Sequence, residues 1–155
     1  MAIWVIAVRR KYADAILDGR KIAEVRWEGT VNIDLVRSGD KLLLATGSGI
    51  VGIVEVTKVI IKELRSISDD EAKAAGFRSR VELVKELKKI YPITSYSEKY
   101  YILYLRPIAD LRHRPVPLSN IYCYSGSGIR ECRLEDLKSR IVPVCRVKSS
   151  DLPIT

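Results

Sequence analysis

Glutamine is missing altogether, asparagine occurs only at positions 32 and 120, and the 155-residue chain has a single histidine, His113. Set against its many Lys, Arg, Glu and Ile residues, this shortage of thermolabile amides is the bias of a heat-adapted protein. His113 stands between Arg112 and Arg114 and reads as a solvated loop residue. Cys123, Cys132 and Cys145 are nine and thirteen residues apart, with no CxxC pair and no histidine at ligand spacing. Neither a structural zinc site nor any other metal or cofactor is therefore expected. No apolar run approaches the roughly 20 residues of a bilayer span. The apolar opening Met1 to Val8 has no basic segment before it and is followed by Arg9, Arg10 and Lys11, the reverse of a signal peptide's charge order. It reads as a strand, and the protein as cytoplasmic with no membrane partner. Walker, zincin and nucleophile-elbow patterns are also missing.

What is present is ordinary in amount and basic in sign. Apolar residues make up 47% and charged residues 30%, the balance of a soluble chain long enough to close one core. A net charge of +8 and a pI of about 9.5 favour a polyanionic partner.

Hydrophobic periodicity places the elements. Ile3 to Val8 is a buried first strand. Lys11 to Leu17 is a short helix with Ala13, Ile16 and Leu17 on one stripe, ended by Gly19. Ile22 to Trp27 alternates, with Ala23, Val25 and Trp27 on one face and Ile22, Glu24 and Arg26 on the other. Ser38-Gly39-Asp40 marks a turn before strands at Lys41 to Ala45 and Ile50 to Ile61. Ser68 with Glu71 and Ser79 with Glu82 each spell a capping box. In the second of these helices Leu83, Val84, Leu87, Ile90 and Tyr91 form a core stripe, whereas Lys85, Lys88 and Lys89 read as a solvated face. Tyr100 to Arg106 is a strand that Pro107 closes. The tail holds a short helix at Leu134 to Ser139 and an apolar stretch, Ile141 to Val147, that is either an extra strand or an arm across the core. Strands outnumber helices without alternating regularly, which predicts an α+β fold with a mostly antiparallel β-barrel and flanking helices.

Two segments carry a family resemblance. Gly19-Arg20-Lys21-Ile22-Ala23-Glu24-Val25-Arg26 matches the GxKxxExR signature of ASCH domains at every fixed position. Ser68 through Glu71, Gly76-Phe77 and the helix ending Ile90-Tyr91-Pro92 resemble the helical insert of stand-alone ASCH proteins. The resemblance implies a PUA-like barrel over residues 1–110 with an insert at about 68–91, and a C-terminal extension, 111–155, packed on the same domain. It also implies a cleft beside the first helix that accepts RNA or a nucleoside.

The site residues follow from charge and register. Glu24 and Arg26, two apart on one strand, point to the same side. They either neutralise one another on a half-buried face or, joined by Lys21, leave a cation-rich cleft that holds a phosphate while Glu24 accepts a base amino group. Arg9, Arg10 and Lys11 stand at a helix start, where cations oppose the dipole unless an anion binds or the turn is simply solvated. Tyr12 and Trp27 are candidates for base stacking or for packing. Gly47-Ser48-Gly49-Ile50-Val51-Gly52 spells GxGxxG, but a strand follows it instead of a helix, so a tight hairpin is expected, with Ser48 offering a hydroxyl. The candidate RNA-binding set is Arg10, Lys11, Tyr12, Lys21, Glu24, Arg26 and Ser48. Two readings from different classes follow: a non-catalytic RNA-binding module, or an amidohydrolase of acylated pyrimidine nucleosides or a ribonuclease using Lys21 and Glu24. The deacylating branch has a hydroxyl residue where this chain has Glu24, which weighs against that mechanism. A third reading, a protein-interaction module, rests on the proline-rich tail alone.

Overall fold

The computed structural model describes residues 1–126, 128–148 and 152. Ser127 of the Gly-Ser-Gly turn and the last part of the expected extension, 149–151 and 153–155, lie outside the described residues. The chain runs β1 (Ile3–Ala7), α1 (Arg10–Leu17), β2 (Ala23–Trp27), β3 (Lys41–Thr46), β4 (Gly49–Glu63), α2 (Asp69–Ala74), α3 (Arg80–Ile90), β5 (Lys99–Asp110), β6 (Ile121–Ser125), β7 (Gly128–Glu131) and β8 (Val142–Val147). Among the described residues one sheet takes all the strands, in the order β2-β5-β4-β3-β1-β8-β6-β7. Its pairs are antiparallel except β1 with β3. The α+β class is as expected, with a barrel that is partly curled and not closed. Register shifts at Leu44/Ala45, Ile53/Val54 and Val56/Lys58 supply the curl, because an extra residue on one strand of a pair bends it and adds twist.

Pro107 does not end its strand: β5 runs on to Asp110. Proline lacks the ladder N–H, and here it sits at the Ile53/Val54 shift, where pairing is already interrupted. The tail also holds more sheet than its proline and glycine content suggests. β8 is the extra strand, joining β1 on one side and β6 on the other. A disulfide links Cys123 to Cys132, a pairing the sequence reading did not make.

Three apolar clusters make the core. Trp4, Ile6, Ile16, Leu42 and Val54 fill the curl of the sheet under α1. Val5, Leu43, Ile53, Ile121 and Leu137 hold the C-terminal strands to the other face of β1 and β3. Ala23, Val25, Leu64, Leu83 and Tyr100 seat α2 and α3 against β2 and β5. Arg112 clamps α1 to the end of β5 by pairing with Asp14 at 3.3 Å, Asp18 at 2.8 Å and Asp110 at 2.7 Å. Its hydrogen bonds hold the Asp110 carboxyl down at about 2.

Candidate nucleic-acid interface

Local backbone chemistry delivers Lys21 to the site. Gly19 takes φ +79° just past the end of α1. Its N–H donates to the Ile16 carbonyl and the Arg20 N–H to the Ala15 carbonyl, the paired bonds of a Schellman turn. The chain therefore reverses, and the Lys21 side chain runs inward along Gly76, where an added Cβ would touch it at 3.5 Å. Lys21 Nζ donates to the Ala75 carbonyl at 2.7 Å. Ala75 caps α2, so the ammonium sits where a helix dipole favours a cation.

The alternation of β2 delivers the rest. Lys21 Nζ lies 3.5 Å from Glu24 Oε1, and an Arg26 guanidinium nitrogen 3.4 Å from Glu24 Oε2. The same guanidinium donates to the Ala7 carbonyl at 2.9 Å. The three side chains are 2%, 12% and 14% exposed, so their charges meet largely out of bulk water. Burial pushes the Glu24 carboxyl up, but Lys21, Arg26 and the Val25 amide outweigh it and hold the group below its ordinary 4.5. The site thus holds a fixed carboxylate between two cations.

These groups form the floor of a cavity of about 180 Å³ between the start of α1 and the inner face of α3. Tyr12 and Phe77 stand beside it with ring centroids 6.4 Å apart. Lys21 Nζ lies 5.3 Å from the Tyr12 centroid and 5.8 Å from that of Phe77. The Tyr12 hydroxyl donates to Glu86 at 3.4 Å, and Arg9 approaches Glu86 at 3.8 Å. Burial, and then the Glu86 charge, raise the Tyr12 pKa. The volume falls below the roughly 300–1,000 Å³ of drug-sized sites.

Residues 6–112 match the family model described as ASCH domain. The chain belongs to the ASCH-domain family. Solved structures share the fold at low identity. A hypothetical protein, PH0355, has a TM-score of 0.58 at 18% identity, over 68% of this chain and 99% of that one. ASCH from Zymomonas mobilis has a TM-score of 0.55 at 14% identity, over 89% and 92%. The ASCH domain from Lactobacillus crispatus has a TM-score of 0.51 at 18% identity, over 66% and 79%. No curated protein matches the chain.

Within this ASCH fold the structure brings together Tyr12, Lys21, Glu24 and Arg26, with Arg9 at the rim. Arg10, Lys11 and Ser48 are not among the cavity's walls. Arg10 pairs with Asp14 at 3.0 Å along α1. Lys11 lies over the Tyr12 ring at 4.9 Å. Ser48 sits in the two-residue turn between β3 and β4, the tight hairpin expected, where its amide donates to Thr46. Trp27 packs on Tyr91, with ring centroids 5.8 Å apart. Sequence reasoning missed Phe77 and Glu86. The signal for Glu86 was its position beside Leu83, Leu87 and Ile90, a stripe read only as core that also roofs the cavity. Among the described residues, no helix is long and apolar enough to cross a membrane.

Proposed function

We propose that this ASCH domain is an RNA-binding module whose cavity takes one unstacked base or a modified nucleoside. The observation that carries this reading is the convergence of Lys21, Glu24 and Arg26 at a cavity bordered by the Tyr12 and Phe77 rings. Single-stranded RNA is recognised by stacking splayed bases on aromatic or guanidinium planes and hydrogen-bonding their edges, and these residue types suit both tasks. Membership of a generally RNA-binding family and the +8 charge support it. The reading includes a cytoplasmic site of action. It also treats residues 111–155 as an extension of the same unit, since Ile121, Cys123, Leu137 and Val142 share a buried cluster with Val5 and Leu43.

The chemistry favours binding over proton transfer. A carboxylate held below 4.5 by two cations is a weak base near neutral pH, which counts against Glu24 as a shuttle. Titration against an oligoribonucleotide at two salt concentrations tests the proposal. Binding is expected at low salt, and Tyr12→Ala should weaken it roughly tenfold, within the ~1–3 kcal/mol of a base–aromatic stack. Undetectable affinity at low salt, or an unchanged constant in the variant, would sink it. Acyl release from N-acylated cytidine by the wild type but not by Lys21→Ala would move the assignment to an amidohydrolase.

A further inference from the structure

The face of α3 turned away from the cavity carries cations that the pocket does not use. Arg80, Val81, Val84, Lys85 and Lys88 fall on one side of the helix, whereas Leu83, Leu87 and Ile90 reach the cavity on the other. Together with Arg65, which pairs with Glu63, and Tyr96 the outer set lines a groove of about 530 Å³ whose walls, among the described residues, include no carboxylate. Among the described residues the side chains of Arg80, Lys85 and Lys88 have no acidic partner. One Arg80 nitrogen donates to the Leu64 carbonyl at 3.2 Å, while its buried Nε has no partner. Lys88 Nζ donates to the Tyr96 hydroxyl at 3.0 Å and lies 5.4 Å from the ring centroid, and Tyr96 is 48% exposed. That hydrogen bond and the nearby positive charge hold the Tyr96 pKa below its ordinary value. Lys85 and Lys88 are exposed, as the solvated-face reading expects, and they also wall a cationic groove with an exposed aromatic ring.

We propose that this groove binds the phosphodiester backbone of a single RNA strand that continues beyond the nucleotide held in the pocket. The choice of RNA over other polyanions rests on the reading of the pocket, but the groove stands on its own charge. From Arg80 to Lys88 the helix rises ~12 Å, more than three steps of a stacked strand at ~3.4 Å each. Tyr96 offers a π-face to one neighbouring base, the combination of cationic track and aromatic platform used by single-strand binders. α3 separates pocket from groove by about one helix diameter, ~10–12 Å. A strand crossing the helix would thus be read on one side and held on the other.

The test is the salt dependence of binding by the full chain to an oligouridylate of about 12 nucleotides, within the ~4–16 that such sites occupy. The double variant Lys85→Ala/Lys88→Ala should lower the slope of log K against log salt by roughly 0.7 for each lysine and weaken binding several-fold. Lys58→Ala, which removes a cation from β4 outside both cavities, should leave the slope unchanged, and uridine alone should bind the double variant as it binds the wild type. A wild-type slope in the double variant overturns the groove. Lysine-dependent binding of polyglutamate with affinity equal to that of the RNA also overturns it, by making the partner an acidic protein. A lysine-dependent RNA slope together with an RNA affinity that Tyr12→Ala leaves unchanged keeps the groove and removes the pocket reading.

Discussion

Glu24 carries more of the site than its neighbours do, because it is the only negative charge between Lys21 and Arg26. Removing one partner of a buried ionic cluster leaves the others desolvated and uncompensated, which costs about 3–5 kcal/mol. Glu24→Gln, isosteric and neutral, should therefore lower the unfolding free energy by about 3 kcal/mol in a urea titration, and an unchanged midpoint would contradict the buried cluster. The pH dependence has a definite sign. The folded state holds the carboxyl below its ordinary 4.5, so its contribution is fully present above that value and is lost as pH falls through the folded pKa. Wild-type stability should decline on acidification below about 4.5 more steeply than that of Glu24→Gln. The trio was legible in the sequence because a glycine after a helix and a period of two along a strand are local rules. Phe77 and Glu86 were not, because they reach the cavity from an insert more than fifty residues away along the chain.

At the scale of elements, α3 has two faces with two different jobs. Its position depends on Ser79, whose hydroxyl accepts from the Glu82 amide at 3.3 Å. The reciprocal half of the expected capping box is displaced by one residue, since Glu82 accepts from the Arg78 amide instead. Ser68 and Glu71 complete theirs, and Glu71 also pairs with Lys62 at 2.9 Å. Ser79→Ala should cost about 1 kcal/mol. Hydrogen exchange would show it as faster opening of the first turn of α3, with α1 unaffected; equal protection in both proteins would mean that the cap does not hold the roof. Deleting side-chain volume beneath the helix is harsher. Leu83→Ala should destabilise by about 2–5 kcal/mol and weaken binding in the cavity that α3 covers, read by thermal melts and by the same RNA titration.

For the whole molecule, the C-terminal strands extend the sheet beyond the span matched by the family model, and the Cys123–Cys132 bond ties β6 to the segment after β7 across nine residues. Both cysteines are buried. Closing so short a loop removes about 2–3 kcal/mol of unfolded-chain entropy, so a reducing agent or Cys132→Ser should lower the melting temperature measurably. Identical melts with and without reductant would refute that contribution. The pairing escaped the sequence reading because cysteine spacing alone does not say which strands become neighbours.

Much was therefore settled by residue order. Strand and helix periods, two capping serines and the turn at Gly19 act over a few residues and give the same answer in any context, and they bring Lys21, Glu24 and Arg26 within reach of one another. Long-range packing decided the rest. The passage of β5 beyond Pro107 depends on a register shift against β4 that leaves Ile108 of β5 unpaired, the entry of β8 beside β1 depends on an apolar surface made elsewhere, and the division of α3 into a roof and a basic outer wall depends on where β2 and β5 receive it. Each of these is a relation between segments far apart in the chain, set by which apolar faces meet, and local propensity carries no information about it.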